Sequence, residues 1–188
     1  MGAVTDGAVF FNTSGLDGGG RAYSAILLGT VQTAGGMPYN LGPSNAPSAV
    51  SSATIALPAG KFSTLKLLAA GVNGNQVSQT FTVTYIDGTT TSFTQSLSDW
   101  CTPQNYAGES KAILMPYRDN SNGTRDTRSM TLYGYTFTLS SSKTVKSIAL
   151  PNNRNVVVLA MNLSAVGSSV SESSSDTFSL SVPHGRKR

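Results

Sequence analysis

From Phe81 to Trp100 the chain reads FTVTYIDGTTTSFTQSLSDW. Phe81, Val83 and Tyr85 alternate with Thr80, Thr82 and Thr84, and beyond Asp87-Gly88 Phe93 and Leu97 alternate with polar neighbours. Period two with one apolar face predicts half-buried strands. Asp-Gly between two such runs predicts a hairpin turn. Phe93, Gln95, Leu97 and Asp99 share one face of a straight strand, so Trp100, the only tryptophan, falls on the face away from the core.

The same pattern recurs along the chain. Tyr133, Tyr135, Phe137 and Leu139 line one face of a run over Met130–Leu139 and read as core. Thr54–Leu57, closed by Pro58, and Val145–Leu150 read as further strands. Lys61–Gly71 is partly helical in spacing, but fits a buried strand bounded by Gly60 and Gly71 better. Val156–Leu163 is apolar on both faces, as expected of a central sandwich strand. Tyr23–Leu28 suits either one short helix capped by Ser24 or a strand. Residues 33–53 are rich in Gly, Pro, Ser and Asn, with a short edge strand suggested by Met37, Tyr39 and Leu41. Residues 101–128 read as a long irregular segment containing one strand over Ala112–Tyr117.

Roughly eight to ten short strands with long loops predict an all-β fold, an antiparallel β-sandwich of jelly-roll type. The expected organisation is one domain over residues 1–166, followed by a Ser-rich linker and basic tail over 167–188. Phe178–Val182 is either one extra strand or part of that linker.

Composition narrows the partners. Charged residues are 12% of the 188, and hydroxyl and amide side chains abound, as in an extracellular β protein. Of the net charge of +4, Arg186, Lys187 and Arg188 supply three units, leaving the body near neutral. A nucleic-acid partner is therefore not expected, since it would need a basic face on the fold. No apolar run is long enough to span a bilayer as a helix. The one cysteine, Cys101, excludes an intrachain disulfide and a thiolate zinc cluster. Met1-Gly2-Ala3 is no secretion signal, and the chain reads as a domain excised from a longer, secreted protein.

No catalytic constellation is visible. The one histidine, His184, lies in the tail, so no Ser-His or Cys-His pair is in place. The carboxylates are few; a glycosidase pair could be drawn from Asp99, Glu109 and Asp119, but no spacing marks one, and an enzyme is not expected. No cofactor is implied. The simpler reading of Asp17, Asp119 and Asp126 is loop turns; a structural calcium is the other.

Aromatic and planar polar residues are the better lead. Trp100, Tyr106 and Tyr117 lie in or beside the long segment, interleaved with Asp99, Arg118 and Asp119. A sugar presents an apolar ring face and a rim of hydroxyls, which suits an aromatic plane flanked by such groups. The competing reading is that Trp100 and Tyr117 pin the segment onto the sandwich and that Arg118 pairs with a carboxylate.

Leu16-Asp17-Gly18-Gly19-Gly20-Arg21-Ala22-Tyr23-Ser24-Ala25, Val83–Thr89 followed by Leu97-Ser98-Asp99-Trp100, and Leu150-Pro151-Asn152-Asn153-Arg154-Asn155-Val156 are together similar to segments of accessory β-sandwich domains appended to secreted bacterial glycoside hydrolases. Those domains resemble carbohydrate-binding modules of the galactose-binding-like type. The resemblance spans most of residues 10–163. It departs from the pattern at Arg21, where an aromatic residue is usual, and at Cys101. It implies a non-catalytic module that binds a polysaccharide or oligosaccharide and targets a covalently linked enzyme to it. The alternative is a structural or adhesive spacer with Trp100 buried.

Overall fold

A computed structural model describes residues 1–165 and 176–178. The chain begins with β1 (Ala3–Val4), β2 (Arg21–Ser24), the short helix α1 (Ala25–Leu28), β3 (Val31–Ala34) and β4 (Met37–Asn40). It continues with β5 (Thr54–Ala56), β6 (Thr64–Gly71), β7 (Gln76–Tyr85) and β8 (Thr90–Leu97). Then come β9 (Glu109–Met115), β10 (Arg118–Asn120), β11 (Arg125–Asp126) and β12 (Met130–Thr138). The last strands are β13 (Val145–Ala149), β14 (Val156–Ser164) and β15 (Asp176–Phe178).

Two antiparallel sheets form the sandwich. One has the order β15-β14-β6-β12-β9 and the other β5-β13-β7-β8. Their inner faces meet at Phe137 of β12, whose ring stacks on Phe93 at 4.8 Å and tilts against Phe81 at 5.1 Å. The Asp87-Gly88 hairpin forms as its alternation predicts. Asp87 Oδ1 accepts from the Thr89 amide at 2.9 Å, and Gly88 takes the left-handed φ of +82° that the turn requires.

β6 and β14 run through the middle of the larger sheet and are buried on both faces. The β3–β4 hairpin covers part of the outer face, where Asn162 Nδ2 of β14 donates to the Pro38 carbonyl at 2.9 Å. Tyr23–Leu28 is both a strand and a helix: β2 ends at Ser24, whose Oγ then caps α1 by accepting from the Leu27 amide.

A third sheet, β1-β2-β10-β11, lies at one end. Two of its strands, β10 and β11, come from residues 101–128, read as largely irregular, while the strand expected there over Ala112–Tyr117 is β9, at the edge of the larger sheet. β10 and β11 carry charged residues whose burial depends on pairing, so they show no apolar alternation. β15 pairs with β14; the rest of the Phe178–Val182 expectation, residues 179–182, lies outside the described residues, as do 166–175 and 183–188.

Candidate functional site

Trp100 is buried at 2% exposure, which corrects the expectation that it faces away from the core. Trp100 would face away from the core only on a strand that ran straight beyond Leu97. Instead the chain leaves the ladder there. The Trp100 amide donates to the Gly71 carbonyl at 2.9 Å, and its carbonyl accepts from the Thr131 amide at 2.7 Å. Ser98, Asp99 and Trp100 are consequently all buried. The indole meets the Tyr23 ring edge-on at 5.2 Å and 82°. It offers no free stacking plane.

Beside it lies an open cleft of about 350 Å³, lined by Asp17, Arg21, Asn73, Asp99, Arg118 and Arg128 together with Gly74 and the Trp100–Thr102 backbone turn. The cleft is built by loops that close on one another. Asp17 Oδ1 accepts from the Gly19 amide at 2.8 Å and the Arg21 amide at 3.1 Å, while Arg21 Nη1 donates to Asp17 Oδ2 at 3.3 Å. Asn73 Nδ2 donates to the Asp17 carbonyl at 2.9 Å and to Asn155 Oδ1 at 3.0 Å. Asp99 accepts from the Gly74 amide at 2.7 Å and the Cys101 amide at 2.8 Å. Three sequence segments, 16–25, 97–100 and 150–156, thus converge on one end of the sandwich.

Arg118, on β10, is 4% exposed. Its Nε donates to Asp126 Oδ2 at 2.9 Å and its Nη2 forms an ion pair with the same oxygen at 2.9 Å, the pairing that a buried guanidinium requires. Its Nη1 donates to Cys101 Sγ at 3.5 Å. Burial pushes the Cys101 thiol up, more than Arg118 pulls it down, so it is held protonated and weakly nucleophilic at neutral pH. Burial alone would also raise the Asp126 carboxyl, but the Arg128 amide and the Arg118 guanidinium outweigh it and hold it below its ordinary range.

Of the six predicted sugar-contact residues, Asp99, Trp100 and Arg118 come together at this cleft. Tyr117 and Asp119 do not. Pairing of Arg118 with Asp126, and of Asp119 with Arg125, puts them on the opposite face of the third sheet. There Tyr117 donates to Asp6 Oδ2 at 2.7 Å and lies 3.8 Å below the Arg125 guanidinium. Tyr106 sits in the turn before β9, where its carbonyl accepts from the Glu109 amide at 3.0 Å. Asp17 and Asp126 are each engaged by separate partners, Arg21 and Arg118, and Asp119 lies on the other face of the third sheet from Asp126, so the three do not form one calcium site. No group of three or more His, Cys, Asp or Glu side chains suited to a metal occurs among the described residues. Sequence reasoning missed Arg21, Asn73 and Arg128 as cleft residues. For Asn73 a signal existed in the turn-rich Val72-Asn73-Gly74-Asn75 beside the predicted hairpin.

The family model for the AziU2-like beta-sandwich domain matches residues 6–166, and the chain belongs to that family. No curated protein matches it.

Proposed function

We propose that this AziU2-like β-sandwich domain is a non-catalytic module that binds a glycan in the cleft between the Asp17 loop, the Asn73-Gly74 turn and Arg128. The observation that carries this reading is the lining of that cleft. Carboxylate, carboxamide and guanidinium groups converge on it, all planar hydrogen-bonding groups suited to sugar hydroxyls. The supporting loops are tied by side-chain-to-backbone bonds, so the site is organised before a ligand arrives. Recognition runs through hydrogen bonds, with the buried Trp100 as support for the cleft floor. Affinity per site is modest, and the module serves to raise the local concentration of an attached extracellular enzyme on its polysaccharide.

A glycan array followed by affinity electrophoresis tests this, with Arg21→Ala and Arg128→Ala as rim variants on exposed positions. Retarded migration on at least one polysaccharide, abolished by either variant without loss of folding, is the expected result. The second reading, a structural spacer, is favoured by the burial of Trp100 and the engagement of Tyr117, which leave neither ring free for stacking. Indifference to every glycan in both assays selects the spacer.

A further inference from the structure

The outer face of the third sheet holds a carboxyl pair. Asp119 is 1% exposed, and its Oδ2 is buried with no hydrogen-bond donor reaching it among the described residues. A buried carboxylate oxygen without a donor is strongly disfavoured. The nearby donors all go to Asp6: Ser24 Oγ at 2.5 Å, Tyr117 Oη at 2.7 Å and Arg125 Nη2 at 2.9 Å. Tyr117 and Arg125 flank Asp119 on this face, Arg125 as its register partner across the ladder, so their bonds to Asp6 bring the two carboxyls to the same place. Asp6 belongs to the segment Thr5–Phe10, which crosses this face as a strap. The strap is otherwise held by few bonds, including the Phe10 amide to the Ser121 carbonyl at 2.9 Å and the Thr5 amide to Asn45 Oδ1 at 3.0 Å.

We propose that Asp119 holds a proton, donates it to Asp6, and thereby latches the Thr5–Phe10 strap onto the sheet, the strap loosening when that proton is lost. The charge count favours a proton. Two carboxylates face one cation, Arg125 from β11, so one proton makes the cluster neutral. A calcium ion would take six to eight oxygen ligands, and no group of three or more His, Cys, Asp or Glu side chains suited to a metal gathers here among the described residues. The other groups facing the pair are Ser24 and Ala22 from β2 and Tyr117 ahead of β10. Arg118 and Asp126 point to the opposite face and satisfy each other, and Arg21 is bound to Asp17. Burial, then the Asp6 charge, push the Asp119 carboxyl up to about 6, against a smaller opposing pull from Arg125.

Carbon-detected NMR titration of the aspartate carboxyls, with amide-exchange protection factors at Phe10, reads the latch directly. The expected result is one carboxyl of the pair titrating near 6, with Phe10 protection falling about tenfold or more between about pH 5 and pH 7.5. Asp119→Asn, whose carboxamide can donate to Asp6 without titrating, is expected to keep high protection at both pH values. Asp6→Asn, a second variant should the first not fold, is expected to lower the Asp119 titration point by the share due to the Asp6 charge, with burial still holding it above the ordinary carboxylate range. Titration of both aspartates in the ordinary range, or an unchanged pH-dependent loss in Asp119→Asn, overturns the proposal.

Discussion

The guanidinium carbon of Arg118 lies 5.1 Å from the centre of the Trp100 ring, so a cation roofs the one tryptophan on the cleft side while Tyr23 meets it edge-on. Trp100 is thereby a packing residue. Trp100→Ala is expected to cost about 3–5 kcal/mol of stability, read by urea denaturation followed by circular dichroism. Native Trp100 emission is expected to be blue-shifted. A loss under about 1 kcal/mol, in the range of exposed-site changes, would contradict the burial.

Arg118 and Asp126 form the second test. Asp126→Ala leaves a buried guanidinium without its carboxylate and should cost about 3 kcal/mol. Replacing both, as Arg118→Met with Asp126→Ala, should cost less than that single change, because no unpaired charge remains. A double-mutant cycle in denaturant checks the order. With Arg118→Met alone completing the cycle, a double variant whose loss equals the sum of the two single losses would show that the pair is not coupled.

The pH dependence of stability follows from two opposed groups. Asp119 binds its proton more tightly in the folded state, so its contribution is complete below about 3.8 and is lost as pH rises through about 6. Asp126 and Asp6 run the other way. Burial would raise the Asp6 carboxyl, but its bonds to Ser24, Tyr117 and Arg125 hold it below 3.8. Their contributions are present above 3.8 and vanish as pH falls through the lowered values. These carboxyls together predict a maximum in Tm between about pH 4 and pH 6, measurable by calorimetry. A Tm that climbs steadily from pH 5 to pH 8 would refute it.

Gly123 has φ +80°, and a Cβ there would sit 2.8 Å from the Gly7 carbonyl oxygen in the strap. Gly123→Ala is expected to cost at least about 1–2 kcal/mol from the left-handed backbone alone. It should also lower amide protection at Phe10 selectively, leaving the β6 amides unchanged. Uniform loss across both would mean that the strap is not a separate unit.

Much of the sandwich was legible because its strands obey simple periods. The alternation at Phe81–Tyr85 and Tyr133–Phe137, and the two-sided burial of Val156–Leu163, report directly on which faces are covered. Trp100 was misread because parity holds only while a strand stays in its ladder, and the Gly71 carbonyl and Thr131 amide draw the backbone out of it. The third sheet was hidden for a different reason. Its two- to four-residue strands bury Arg118 and Asp119 through ion and proton pairing, which leaves no hydrophobic signature. The cleft was half visible: Asp99 and Arg118 stood out by type, whereas Arg21, Asn73 and Arg128 join them only through loop closure in three dimensions.

Asn73 joins residues 56 and 82 positions away, at Asp17 and Asn155. Neither bond can form until β2, β6 and β14 are in register, so the cleft end should assemble after the sheets and contribute little to the folding transition state. Asn73→Ala is then a change that hastens unfolding while leaving the refolding rate nearly untouched. Time, more than equilibrium strength, is what that small amide knot supplies: it lengthens the life of the folded domain.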